Sequence, residues 1–163
     1  MEEVGILLIR QYDAKDKDSV KALYYTGLDQ FDADAQSEGY LSLCEDLDNI
    51  ENIYLKNNGE FLVGTHEGKL VAMGGLKKLS TTRAEIKRMG VHPDYQRQGF
   101  GQLILQKLLE VAAQLGYTEL CLDTTAQNIP AQRLYERFGF VQARRKKIGS
   151  LDVIFYEKQL AKT

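Results

Sequence analysis

The sequence predicts one mixed α/β domain: a mostly antiparallel sheet with a parallel β-α-β unit at its centre and helices on both faces. Three observations carry that expectation. A strand, a polar turn and a long amphipathic helix run without interruption from Ala84 to Gly116. A short apolar strand at Leu120 to Thr124 follows that helix directly, and a helical crossover is how parallel neighbours are joined. The remaining strands stand in adjacent pairs across short turns, as antiparallel hairpins do. At 163 residues, with no linker, repeat or low-complexity segment, the chain reads as a single domain over 1–163.

Taken in order, Ile6 to Tyr12 is an apolar run and the first predicted strand. Asp13 to Asp18 supplies helix-starting acids, and Val20, Leu23, Tyr24 and Leu28 continue at helical spacing. Gly39 breaks that pattern, after which Leu43, Leu47, Ile50 and Tyr54 mark a second helix. Asn57, Asn58 and Gly59 signal a turn. Glu60 to His66 and Leu70 to Leu76 flank Glu67-Gly68-Lys69 and read as a hairpin. Ala84 to Val91 is the next strand. Ile104, Leu105, Leu108, Val111, Ala112 and Leu115 then give a third helix, with Gly116 as its left-handed stop. Pro130 opens a short helix with Ala131, Leu134, Tyr135 and Phe138 on one face, ended by Gly139. Phe140 to Ile148 and Leu151 to Lys158 form a closing antiparallel pair around Gly149 and Ser150. The predicted order is β-α-α-β-β-β-α-β-α-β-β.

Composition narrows the function. No apolar run approaches the roughly 18 residues of a membrane span. Glu2 and Glu3 stand where a secretory signal carries Lys or Arg. Two cysteines, Cys44 and Cys121, make no disulfide framework, so a cytoplasmic location is expected. A formal net charge of −2 gives no general attraction to nucleic acid. The run Arg144-Arg145-Lys146-Lys147 reads as a solvated strand or as a patch for phosphate or acidic partners. Two histidines, His66 and His92, without Cys/His spacing predict no metal site.

The informative stretch is Gln96-Arg97-Gln98-Gly99-Phe100-Gly101, immediately before the third helix. Glycines here permit close approach to the backbone, and the free N–H groups of a helix start favour an anion, most often a phosphate. A Walker-type P-loop is excluded because Gln102 and Leu103 follow Gly101. A dinucleotide fingerprint is excluded by Ile104 where a third small residue belongs. The spacing of Gln96, Gly99 and Gly101 resembles the pyrophosphate-binding turn of the GNAT superfamily of acyl-CoA-dependent N-acyltransferases. Asn128, Ala131, Leu134, Tyr135, Gly139 and Phe140 resemble a second segment of the same family. The two matches cover the chain from Ala84 to about Phe140.

That resemblance implies acetyl transfer from acetyl-CoA, without a metal, to a small-molecule or peptide amine by direct attack in a ternary complex. It places the diphosphate on the backbone N–H groups of Gln98, Gly99, Phe100, Gly101 and Gln102, with Arg97 adding charge. It places the pantetheine arm against Met89, Gly90 and Val91, where Gly90 suits a bulge or a close backbone approach, and near Asn128. Asn128 beside Pro130 also suits a helix cap. A lysine-like amine has a pKa near 10.4, so only roughly one in two thousand is neutral at pH 7 and a base is needed. Glu85 occupies the position of the family's general-base glutamate; a cross-strand salt bridge is the other use for a carboxylate there. His92 reads as a loop residue beside Pro93. Tyr135 matches the tyrosine that protonates the departing thiolate, and equally fits a core helix face. Asp29, Asp32, Asp34, Glu38, Glu45, Asp46, Asp48 and Glu51 form an acidic region, which is a steering rim for cationic amines or a solvated surface. An acyl-CoA-binding module without turnover is the alternative function, and the chain is expected to be a monomer or homodimer.

Overall fold

A computed structural model describes residues 6–31 and 42–161. Strand β1 (Leu8–Gln11) leads into a 3-10 turn, Ala14–Asp16, and helix α1 (Lys17–Phe31). Asp13 and Asp16 start this helical stretch as a capping box: the Asp13 carboxylate accepts from Lys15 N and the Asp16 carboxylate from Asp13 N. Gly39 and the acids Asp32, Asp34 and Glu38 lie outside the described residues. Ser42–Asp48 is a 3-10 turn and Glu51–Leu55 a π-helical turn, in place of the continuous second helix that the spacing predicts.

The sheet follows: β2 (Glu60–His66), β3 (Lys69–Lys78) and β4 (Arg83–Val91), then helix α2 (Phe100–Gln114) and β5 (Glu119–Thr125). Helix α3 (Ile129–Arg137) and the hairpin β6 (Val141–Ile148) and β7 (Leu151–Gln159) complete the chain. The seven strands are ordered β1-β2-β3-β4-β5-β7-β6. Every neighbouring pair is antiparallel except β4 with β5, the two strands that α2 joins. Apart from that second helix, element order and topology agree with the sequence reading.

Two cores flank the sheet. On one face α2 buries Phe100, Ile104, Leu105, Leu108 and Ala112 against Leu76, Ala84, Ile86, Leu120 and Leu122. Each of the leucine, isoleucine and phenylalanine side chains contributes about 1.5–3 kcal/mol by leaving water. On the other face Val20 and Leu23 of α1, with Leu47, Ile50 and Tyr54, cover Phe61, Val63 and Met73. Glu85, Cys121 and Asp123 alternate with the inward Ala84, Leu120 and Leu122, so they point away from α2. This second face carries the chemistry.

Candidate active site

Three features of backbone geometry meet between β4 and β5. The parallel pairing is short: Arg83 faces Glu119, Ala84 faces Leu120, Glu85 faces Cys121, and there it stops. From Ile86 to Val91 no residue of β4 pairs with β5 among the described residues, and a ligand's amides could complete that edge. Met89, Gly90 and Val91 all lie on that stretch.

The second feature is a bulge in β4. Register shifts between Met73 and Gly75 of β3, which face Gly90 and Lys87, so an extra β4 residue is accommodated there. The sequence reading offers Gly90 for a bulge or for a close backbone approach. The left-handed residue is instead Arg88, at φ 59°, and Gly90 has an ordinary backbone. Arg88 holds this conformation because its guanidinium is fixed. Nε donates to Asp46 Oδ2 at 3.0 Å, Nη2 to Asp46 Oδ1 at 2.7 Å and Nη1 to the Tyr24 hydroxyl at 3.2 Å. Tyr54 donates its hydroxyl to Asp46 Oδ2 at 2.5 Å. Burial opposes the Asp46 charge, but the hydrogen bonds from Arg88 and Tyr54 outweigh it and hold the carboxyl below its ordinary range. Asp46 is thus a buried anchor, which corrects its assignment to an acidic surface. Of the other described acids, Asp48 pairs with Lys21 at 2.7 Å, while Glu45 and Glu51 are exposed.

The third feature is the glycine turn. His92 caps a short 3-10 turn, Pro93–Tyr95, by accepting from Asp94 N at 3.1 Å. Gln96 spends its side-chain amide on Val91 O at 3.1 Å, closing the turn against the end of β4. Arg97 and Gly99 are both left-handed, at φ 64° and 83°, and Gly99 is the N-cap of α2. A Cβ at Gly101 would meet Leu134 and Val91 at 3.6 Å, ordinary contact, so internal packing does not demand glycine there. Among the described residues, Gln98 to Gln102 donate no backbone–backbone hydrogen bond outside the regular elements. The first N–H groups of α2 therefore converge on solvent at the positive end of the helix dipole. Beside them Arg97, Arg133 and Arg137 line an open depression of about 860 Å³ with Pro130 and Glu136. Arg133 and Arg137 were not singled out by sequence reasoning, although their spacing of four puts both on one face of α3.

The titratable residues flank the parting of the strands. Glu85 is half-buried and forms no ion pair among the described residues, so the cross-strand salt bridge is not made. Burial pushes its carboxyl above the ordinary range; Lys87 opposes this and Asp123 adds to it. Asp123 keeps solvent contact but sits in the same concavity, and its carboxyl is raised by desolvation. Asp123 was missed because only the β4–β5 register puts it on the face of Glu85. Both line a crevice of about 420 Å³ with Arg83, Cys121, Arg144 and Phe155. Cys121 is a free thiol pushed up by burial, which argues against a thiolate nucleophile.

Tyr135 packs in the α2-side core, 5% exposed, against the rings of Phe140 and Tyr156. Its hydroxyl makes no side-chain hydrogen bond among the described residues, and burial, reinforced by Asp123, raises its pKa. Asn128 caps α3, its Oδ1 accepting from Ala131 N at 3.2 Å, which leaves its amide donors free for another role. His66 packs against Tyr95 and Phe100. The run Arg144 to Lys147 lies on β6, exposed along its length.

This geometry has relatives. The sequence profile of the acetyltransferase (GNAT) family matches residues 23–140. N-acetylaspartate synthetase from Xenopus tropicalis is 35% identical over 101 residues, 61% of this chain and 37% of that protein. The [ribosomal protein bS18]-alanine N-acetyltransferase of Escherichia coli (strain K12) is 33% identical over 96 residues, 57% of this chain and 64% of that one. The match thus spans less than two thirds of either relative. An acetyltransferase from Streptococcus agalactiae superposes with a TM-score of 0.82 at 21% identity, covering 94% of this chain and 98% of the other. The PaiA N-acetyltransferase of Thermoplasma acidophilum, solved with coenzyme A, gives 0.74 at 20% identity over 95% and 99%. No helix among the described residues is long and apolar enough to cross a membrane. The parted strands, the bulge and the glycine turn accompany a profile match over most of the sequence, and the chain belongs to the acetyltransferase (GNAT) family.

Proposed function

We propose that this protein transfers an acetyl group from acetyl-CoA to a primary amine, with no metal. The observation that carries the reading is the parting of β4 from β5 after Glu85, immediately upstream of an unsatisfied helix N-terminus. A diphosphate bound at Gln98 to Gln102 would lay the pantetheine amides along the free edge at Met89, Gly90 and Val91. Gln96 shapes the turn. Asn128 offers its free amide donors to the arm, and Arg97, Arg133 and Arg137 attract the phosphates. The thioester would then lie where the strands diverge, between Glu85 on one face and Tyr135 on the other.

In the reaction the ammonium of the acceptor first loses a proton, to Glu85 directly or through a water. The nitrogen lone pair attacks the acetyl carbonyl carbon, the N–C bond forms and the C–S bond breaks. The departing thiolate takes a proton from Tyr135. A carboxylate whose pKa is raised is a better base, because basicity rises with pKa while the group still ionises near neutrality. The Tyr135 hydroxyl makes no side-chain hydrogen bond among the described residues, which suits a donor completed by the cofactor sulfur, although burial makes it a weaker acid than a free tyrosine. Thiol is the least demanding of leaving groups, with a pKa of about 8.5, so proton removal from the amine is the harder step.

The test is thiol release from acetyl-CoA across amines, amino acids, polyamines and peptides, with calorimetry for cofactor binding. Turnover with at least one amine is the expected result. Cofactor binding without thiol release from any amine would replace the enzyme with an acyl-CoA-binding module. The protein's location in the cell, and whether one or two copies act together, are tested by fractionation and by light scattering; a cytoplasmic monomer or homodimer is the expected outcome.

A further inference from the structure

The crevice beyond Glu85 has a charge pattern that selects among amines. Strand register sets out two rows on one face of the sheet: Glu85, Cys121 and Glu157 in the first, and Asp123, Phe155 and Arg144 in the second. Two cations line the crevice. Arg83 is occupied, reaching Glu157 at 3.2 Å and Glu119 at 3.9 Å. Arg144 lies over the Phe155 ring, with Cζ 4.4 Å from the centroid, and has no carboxylate partner among the described residues. Its neighbour Arg145 takes Asp152 at 2.7 Å. Thus, among the described residues, two crevice carboxylates without ion pairs, Glu85 and Asp123, stand at one end and the Arg144 guanidinium, without a carboxylate partner, at the other.

We propose, building on the acetyl-transfer reading above, that the acceptor is a free amino acid whose ammonium sits between Glu85 and Asp123 and whose carboxylate pairs with Arg144. Asp123 and Arg144 stand two strand spacings apart, about 10 Å. The Arg144 guanidinium lies over Phe155 on the strand between them, so the opposed charges face each other across a gap scaled to one small zwitterion. Leu79, Ala143 and the Phe155 ring line the rest of the crevice and would receive an apolar portion of the ligand. A polyamine would set a second cation against Arg144, and an amide would leave the guanidinium unpaired. Lys77 and Lys87 flank Glu85 from the strand side without lining the crevice, so they do not supply the carboxylate contact.

The experiment compares three forms of each acceptor with acetyl-CoA: the free amino acid, its carboxamide and its decarboxylated amine, alongside spermidine. For the preferred side chain, kcat/KM of the amino acid should exceed that of the other two forms by tenfold or more. Arg144→Gln should raise KM for the amino acid about tenfold and remove the preference, leaving KM for acetyl-CoA unchanged. Arg144→Glu should improve turnover of the decarboxylated amine. Equal or better turnover of carboxylate-free amines by the unsubstituted protein would overturn the inference and leave acetyl transfer intact. So would an unchanged preference in Arg144→Gln. Absence of thiol release with every acceptor, with acetyl-CoA still bound, would overturn both readings together.

Discussion

Replacing Asp46 with alanine should be the most damaging single change to the scaffold that shapes the cofactor edge. The carboxylate receives three hydrogen bonds, two from Arg88 and one from Tyr54. The Arg88 and Asp46 side chains are only 11% and 9% exposed, so solvent cannot substitute. Breaking one side of a buried pair costs about 3–5 kcal/mol, because the remaining charge is left uncompensated. The orphaned Tyr54 hydroxyl adds about 1–3 kcal/mol, but both donors share one acceptor and the terms do not add in full. A loss of about 4 kcal/mol is expected, which at about 2–4 °C per kcal/mol lowers Tm by roughly 8–16 °C. Arg88 in the left-handed region itself costs on the order of 1–3 kcal/mol, so without its anchor the bulge should relax. KM for acetyl-CoA should then rise more than kcat falls. Urea unfolding read by circular dichroism gives the stability and steady-state kinetics the second effect. The pH dependence has a definite sign. Asp46 has a lowered pKa in the fold, so its contribution is complete above the unfolded value of about 3.9 and is lost only as pH falls through the folded value. A loss under about 1 kcal/mol at pH 7, or a bulge-independent KM, would refute the reasoning. Adding Arg88→Met to Asp46→Ala should recover much of the stability, since the charge is removed along with its partner.

Glu85→Gln should lower kcat about 10²–10⁴-fold, or about 2.7–5.5 kcal/mol in barrier, with little change in KM for acetyl-CoA. Because Glu85 titrates above the ordinary glutamate range, the acid limb of kcat/KM should lie above pH 4.3 and vanish in this variant. The same raised pKa means the ionised carboxylate costs stability at neutral pH, so Glu85→Gln should melt no lower than the parent. Tyr135→Phe removes a hydroxyl with no side-chain hydrogen bond among the described residues and should leave stability within about 0.5 kcal/mol while lowering kcat; an unchanged kcat would remove Tyr135 from the mechanism. Gly99→Asp puts a side chain at φ 83° and an anion at the phosphate position, so calorimetry should find acetyl-CoA binding abolished.

The parts of this fold that were readable from sequence are those fixed by local pattern. The spacing from Ile104 to Leu115 defined α2, and the Glu67-Gly68-Lys69 turn defined the β2–β3 hairpin. What resisted reading depends on contacts distant in sequence. Leu43, Leu47, Ile50 and Tyr54 have helical spacing, yet Asp46 turns inward to Arg88, 42 residues away, and Tyr54 follows it. Nothing local distinguishes that aspartate from its exposed neighbours. Gly90 suits a bulge because glycine tolerates unusual backbone; a guanidinium gripped on three sides achieves the same at Arg88. Asp123 belongs with Glu85 only through the parallel register, and Arg144 only through a second pairing across β7.

The short overlap of β4 with β5 has a mechanical consequence. Among the described residues, three facing residue pairs, the bonds from Thr118 N and Glu119 N to Thr82 O and the Arg83 ion pairs lace the β1–β4 half of the sheet to the β5–β7 half, all at one end of their common border. Torsion applied to either half concentrates at this narrow joint, whose end is Glu85. A long molecule seated along both separated borders would act as a splint, stiffening the junction at the carboxylate whose aim governs proton removal.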